Sequence, residues 1–188
     1  MATLTTGRSE PCSDSIGGIR KVYLFSFVEY DNSQIVGTKG VVLTSFPATT
    51  IYDFWVVNGV MSETINNDEN GISYKQSLSF TLKKQDVNTT RGLNTASKGE
   101  LRYIVELNDG MYKIGGLYKG ATISSMTLNS GGAKSEGSLY NVTIQSDEMY
   151  ASAFIDNLSS AGFTVGEWLL LEDGDDAYTE TEYNIILE

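Results

Sequence analysis

The sequence predicts a mostly β protein: an antiparallel β-sandwich or barrel-like two-sheet domain with one short helix near residues 86–98. Three observations predict this class. Apolar residues alternate with polar ones in many short segments, turn signals such as Asn70-Gly71 separate them, and Tyr dominates the aromatic residues. A length of 188 residues with 40% hydrophobic content fits one domain over residues 1–188, with a polar N-terminal arm at about 1–18.

The clearest strand covers residues 72–83. Apolar side chains alternate there with Ser, Thr and Lys, and only Gln76 interrupts the apolar face. This period of two predicts one face in the core and one in water. Residues 22–30 begin apolar on both faces, which predicts a strand that is buried on both sides.

The remaining strands are predicted by the same alternation. Short turns join them, Asn108-Asp109-Gly110 among them, so antiparallel pairing of eight to ten strands is favoured. Residues 149–158 fit either a short strand or a helical turn. The other segments predicted as strands or apolar runs are 41–43, 51–60, 101–107, 111–114, 122–128, 140–144, 162–171 and 183–187.

One helix is predicted, over residues 86–98. Asp86 is suited to accept backbone N–H groups at its start. Val87 and Leu93 give this segment a weak apolar stripe, and Gly92 weakens it.

Two polar segments are predicted to be connectors between subunits: Met1–Ser15 and the hairpin loop Asp31–Gly40. Neither has enough apolar residues to fold on itself, and such a segment orders by adding hydrogen bonds to a neighbour's sheet edge. The alternative is that both stay mobile. In the apolar run 51–60, adjacent Phe54 and Trp55 must face opposite sides of a strand, so one of them is a candidate interface residue.

Composition argues against an enzyme. The chain has no His and one cysteine, Cys12, so a Ser-His-Asp or Cys-His mechanism and a thiolate zinc site are excluded within it. We expect no catalytic, cofactor-binding or metal-binding residues.

A net charge of −11 disfavours nucleic-acid and membrane binding. Residues 1–14 lack the apolar core of a secretory signal, which predicts cytosolic synthesis.

Three candidate motifs fail on spacing. The acidic run Glu172–Asp176 lacks the Gly and Glu that a calcium loop needs at its sixth and twelfth positions, so a solvated turn is favoured. Asp147 and Glu148 are adjacent and would diverge in a strand, unlike a glycosidase pair. Gly115-Gly116 and Gly131-Gly132 lack phosphate-loop spacing and are interpreted as turns.

Residues 71–152 carry a resemblance. The alternating strand 73–80, the short helix, Leu101–Glu106, Asn108–Gly116, the Gly-rich loop through 134–137 and the strand 139–144 follow in that order. This order resembles tail tube-like, ring-forming virion proteins of tailed phages that infect Bacteroidetes-type bacteria. The resemblance covers under half of the chain.

The resemblance implies a non-enzymatic β-sandwich protomer of the virion tail, made in the host cytoplasm. Such protomers join side by side, commonly six to a ring, and the rings stack around a DNA channel. The implied partners are other copies, other phage tail or neck proteins, and genomic DNA that passes without specific binding; no membrane is implied. The alternatives are a neck or tail ring protein, a capsid decoration or adhesin-like protein, and a carbohydrate-binding or carbohydrate-active β-sandwich.

The acidic balance predicts a net negative lumen. Carboxylates repel DNA phosphates, and a narrow channel focuses that field. Glu106, Glu136 and Asp147 are candidates on strand faces and turns. The alternative is that the acidic residues coat the exterior and maintain solubility.

Overall fold

The computed structural model describes residues 17–31, 33–69, 71–132 and 137–166, together with the backbone of 169–170 and 176–177. These residues are mostly β, in two main sheets with one helix, which confirms the predicted fold class. In chain order the elements are β1 Ile19–Ser26, β2 Val36–Thr38, β3 Val42–Ser45, β4 Thr49–Trp55, β5 Asn58–Asp68, β6 Gly71–Lys83, α1 Val87–Ala96, β7 Leu101–Leu107, β8 Tyr112–Gly115, β9 Thr122–Asn129, β10 Leu139–Glu148, β11 Ala153–Ile155, β12 Phe163–Val165, β13 Leu169–Leu170 and β14 Asp176–Ala177.

The larger sheet has eight strands in the order β12-β4-β1-β7-β8-β11-β3-β2. Strands β3 and β4 have four strands between them, yet only residues 46–48 connect them along the chain. In a flat sheet they would lie about 24 Å apart, whereas this connection spans at most about 15 Å. The sheet must therefore curl towards a barrel, and the rings of Phe46 and Phe163 stack 5.1 Å apart where its ends approach.

The second sheet has four strands in the order β5-β6-β10-β9, and every neighbouring pair is antiparallel. It packs on one face of β1 and β7 and forms the first core with them and the helix. That core contains Ile19, Val22, Leu24, Leu78, Phe80, Leu82, Leu93, Leu101, Tyr103, Val105, Ala121, Tyr140, Val142 and Ile144.

Strand β1 is buried on both faces, as its sequence predicts. Val22 and Leu24 belong to the first core, whereas Tyr23 and Phe25 belong to a second core enclosed by the curled sheet. The strand ends at Ser26, four residues earlier than predicted.

Helix α1 covers residues 87–96 and confirms the predicted helix. Asp86 caps it, since its Oδ1 accepts the Thr89 N–H at 2.7 Å. Leu93 is fully buried, and the Tyr140 hydroxyl donates to the Asp86 carbonyl at 2.9 Å. The helix is thereby fixed to the four-stranded sheet.

Several predictions about the strands were incomplete or wrong. The described residues form fourteen strands, not eight to ten, and two pairs, β11 with β3 and β12 with β4, are parallel. Short turns favour antiparallel pairing, but the curled sheet brings distant segments side by side. The run 51–60 divides into β4 and β5, the loop 31–40 contains β2, and 149–158 contains the strand β11. The strand predicted at 183–187 lies outside the described residues.

Candidate assembly surface

The outward face of the four-stranded sheet is broad and polar. Alternation along β6 and β10 points apolar side chains at the first core, and the intervening residues therefore face away from it. Most of the outward residues on the two central strands are hydroxyl or amide residues: Ser73, Ser77, Ser79, Thr81, Asn141, Thr143 and Gln145. The outward face of β9 is similar.

Hydrogen bonds between side chains cross this face. The Ser79 and Thr143 hydroxyls lie 3.2 Å apart, and Thr81 Oγ1 donates to Asn141 Oδ1 at 2.9 Å. Cross-strand pairs of this kind each stabilise a sheet modestly. They also hold the polar side chains against the sheet.

The outward face carries little charge. Among its described side chains on β6 and β10 the charged ones are Lys75, Lys83 and Asp147, and Asp147 lies opposite Lys75 in the strand register. The described acidic residues are therefore not concentrated on the part of this face that β6 and β10 form.

Glu106 does not belong to any exposed acidic surface, and the prediction that it lies on a polar strand face was wrong. It is 7% exposed because β7 is covered on both faces. Its carboxylate accepts the Tyr23 hydroxyl at 2.7 Å and approaches Arg20 Nη1 at 3.4 Å. Of the other two candidates, Asp147 is exposed and Glu136 lies outside the described residues.

Both edges of the four-stranded sheet are open within the described part of the chain. Strand β5, with eleven residues, is paired only with β6, and β9, with eight, is paired only with β10. An open edge presents unpaired backbone N–H and C=O groups that can pair with another strand. Because the four strands alternate in direction, β5 and β9 run in opposite directions.

The inner face becomes polar at one end, a feature that the sequence signalled only through Gln76. The Gln76 amide donates to Glu63 Oε2 at 3.2 Å, and its oxygen accepts the Gly116 N–H at 3.1 Å. Glu63 Oε2 also accepts the Ser152 N–H at 2.7 Å. These bonds connect the four-stranded sheet to loops of the curled sheet.

Glu148 completes this polar end. Its Oε1 accepts the backbone N–H groups of Tyr118 and Lys119 at 3.1 and 3.0 Å. Burial raises the pKa of Glu148, although these hydrogen bonds and nearby cations oppose the shift. Asp147 is exposed on the opposite face, so the two adjacent carboxylates diverge as predicted.

The other residues singled out from the sequence have mixed outcomes. Phe54 packs against the first core and Trp55 is 62% exposed, as opposite faces require. Gly116 has a positive φ of 66°, as a turn residue would, but Gly115 ends β8. Cys12 lies outside the described residues, as does the acidic run 172–176 apart from the backbone of Asp176.

The described ranges contain no cluster of three or more Cys, Asp or Glu residues placed to hold a metal ion. No helix in the same part of the chain is long and apolar enough to cross a membrane.

Comparisons with known proteins give no relative. No family model matches the chain, and no curated protein or solved structure matches it either.

Proposed function

We propose that this chain is a structural protomer whose four-stranded sheets join edge to edge in a ring, and that stacked rings form the tail tube of a tailed phage. The observation that supports it best is the four-stranded sheet, which has one buried face, one polar face and two edges that no described strand covers. The phage assignment rests on the sequence resemblance, whereas the ring geometry rests on the fold.

Strand direction makes the ring geometry self-consistent. In a ring all copies have the same orientation, so the β9 edge of one copy meets the β5 edge of the next. Since β5 and β9 run in opposite directions, the new pair is antiparallel, like every other pair in this sheet. Closure then leaves no open edge, which removes the aggregation risk of both edges.

The dimensions suit a DNA channel. Strands lie about 4.8 Å apart, so four strands from each of six copies give a circumference of roughly 115 Å and a backbone diameter of about 37 Å. Strand tilt in a closed barrel increases this diameter. The ring number of six comes from the resemblance, and such a ring leaves room for a DNA duplex.

In this arrangement the hydroxyl and amide face lines the channel. DNA binds through cations that displace its counterions, and this face offers only Lys75 and Lys83 beside Asp147 among the described side chains of β6 and β10. On these two strands the proposed lining is nearly neutral, whereas composition predicts an acidic lumen. DNA slides along it because few phosphate contacts form.

Disulfide cross-linking tests the edge pairing. In a Cys12→Ser background, Ser62→Cys or Thr64→Cys on β5 is combined with Ser125→Cys or Thr127→Cys on β9. Within one copy, β5 and β9 are three strand spacings apart, which is about 14 Å. A disulfide needs Cα atoms within roughly 7 Å of each other. Any disulfide must therefore join two copies. Oxidation should give a ladder of cross-linked oligomers on a denaturing gel, and the closed ring is the largest of them, so its size gives the number of copies in the ring.

The matched control moves one cysteine to an interior strand. Ser79→Cys with Ser125→Cys keeps both thiols on the outward face but places one on β6, which has partners on both sides. This pair should give no ladder. Equal ladders from control and edge pairs, or no ladder from any edge pair at concentrations that form particles, would contradict edge pairing.

Electron microscopy tests the higher assembly. The full chain should form rings and stacked tubes, and deletion of residues 1–15 should leave a folded protomer whose rings stack poorly. Normal tubes from the truncated chain would show that the arm is not a connector. Rings that never stack would favour the neck or tail ring alternative, and a strictly monomeric chain at high concentration would contradict every ring assignment.

A further inference from the structure

An open cavity of about 630 Å³ lies away from the outward face of the four-stranded sheet. Its walls come from the segment between β1 and β2, the turn between β2 and β3, the loop after β8 and the turn after β10, together with Arg102 of β7. A volume of this size is within the range of small-molecule sites. The lining residues are Phe27, Glu29, Tyr30, Asp31, Ile35, Lys39, Arg102, Leu117, Tyr118, Lys119, Met149 and Tyr150.

Arg102 lies at the bottom of this cavity and is 1% exposed. Its Nε donates to the Leu117 carbonyl at 2.9 Å, and its guanidinium carbon lies 4.1 Å from the centre of the Phe27 ring. Burial lowers the pKa of Arg102 to about 10, so the group remains charged at neutral pH. Arg102 Nη1 has no hydrogen-bond partner among the described residues, which is costly for a buried donor.

The negative charge of Glu148 lies close enough to Arg102 to raise the pKa of the guanidinium, but no direct hydrogen bond joins the two side chains. The Oε2 atom of Glu148 is also buried without a partner among the described residues. Arg102 is among the residues that line the cavity and Glu148 is not, so the unfilled donor on Arg102 is the group that bears on a ligand there. A ligand hydroxyl can accept a hydrogen bond from Arg102 without bringing a second charge into the cavity.

Charge on the cavity rim is balanced. Lys39 and Lys119 are opposed there by Glu29 and Asp31, and Arg102 below is opposed by Glu148. An anionic ligand would meet the rim carboxylates, and a cationic ligand would meet the lysines and Arg102. The electrostatics therefore favour a neutral ligand.

Aromatic side chains form part of the wall. The rings of Tyr118 and Tyr150 meet edge to face at 5.3 Å, and Tyr30 is partly exposed on the wall with them. Each combines an aromatic ring with a hydroxyl, and Lys39 Nζ lies 5.1 Å from the centre of the Tyr150 ring. A sugar ring matches this combination, because it has an apolar C–H face and hydroxyls that each donate and accept.

We propose that this cavity binds a neutral sugar ring, packed on the tyrosines, with hydroxyl groups hydrogen-bonded near Arg102 and the rim charges. This activity is separate from the proposed ring assembly, since no cavity residue lies on β5 or β9. It needs no catalytic step: the sugar is bound and released unchanged.

Saturation-transfer NMR on the full chain tests the proposal. The probes are the methyl glycosides of glucose, galactose, mannose and N-acetylglucosamine, with glucuronate and glucosamine as charged comparisons. At least one neutral glycoside should bind with a Kd below about 10 mM. Failure of all four, or binding of only a charged probe, would overturn the proposal.

Two variants and a control locate the site. Tyr150→Ala should weaken binding of the neutral glycoside at least about tenfold. Arg102→Lys, which keeps the charge but loses the forked donors, should weaken it as well. The control, Tyr112→Ala, removes a partly buried tyrosine from a different part of the surface. Circular dichroism checks that each variant is folded, and equal weakening by the control, or unchanged binding in folded Tyr150→Ala, would overturn the assignment.

Discussion

The two ends of the inner face of the four-stranded sheet share the same strands and the same alternation, but they differ in chemistry. At one end Leu78, Val142 and Ile144 are buried against β1 and β7 in an apolar core. At the other end the inward positions hold Gln76 and Glu148. The contrast shows that alternation determines which residues are inside, whereas the opposing elements determine what those residues can be.

The two ends also have different roles. Apolar burial is non-directional, so the first end contributes stability without specifying one contact. The polar end makes directional bonds to Gly116, Tyr118 and Lys119, all in the loop between β8 and β9. This loop leads into the open edge strand β9. We infer that the polar end fixes the position of the edge on which assembly is proposed to depend.

The largest effect is expected at the apolar end. Leu78→Ala should lower the free energy of unfolding by about 3 kcal/mol, because it removes a fully buried side chain and leaves a cavity. Urea unfolding of the protomer measures it. The neighbouring Ser79→Ala, on the outward face, removes the hydroxyl contact with Thr143 and should cost at most about 1 kcal/mol, and similar losses from the two variants would contradict the assignment of faces.

Gly115→Ala should cost about 2 kcal/mol through overpacking. A Cβ at this position would overlap the Tyr103 ring, which is fully buried. Thermal unfolding measures the loss. Gly99→Ala is the control, since a Cβ there meets nothing within 4 Å, and an equally stable Gly115→Ala variant would disprove this close packing.

Gln76→Ala should cost about 1.5 kcal/mol, less than Leu78→Ala two residues away on the same face. The substitution removes the acceptor of the Gly116 N–H and the donor to Glu63. Hydrogen exchange should therefore quicken at the Gly116 amide. Unchanged exchange there would show that Gln76 does not hold the β8–β9 loop.

The smallest expected effect is a pH dependence at Glu148. Burial raises its folded pKa above the ordinary value of 4.5, so the folded state holds this proton more tightly than the unfolded chain. Its contribution favours folding most below about pH 4.5 and is lost as pH rises through the raised pKa. Relative to the wild type, Glu148→Gln should therefore gain stability from acid to neutral pH, as urea unfolding across this range would show. A difference independent of pH would contradict the raised pKa.

The sequence by itself determined the β class, the single helix with its Asp86 cap and the inward and outward faces of β6. These features depend on local periods and caps, which a short segment encodes by itself. It also determined the divergence of Asp147 and Glu148, because neighbours in a strand point to opposite faces.

Only the tertiary structure decided the strand order, the two parallel pairs and the burial of Glu106. Each depends on segments far apart in the chain, such as β12 beside β4 or Tyr23 beside Glu106. The cavity above Arg102 has the same origin, because four separate segments build its walls. The alternation of polar and apolar residues describes the two faces of a single strand. It does not show that the larger sheet curls and covers both faces of β7, which buries the charged residue Glu106.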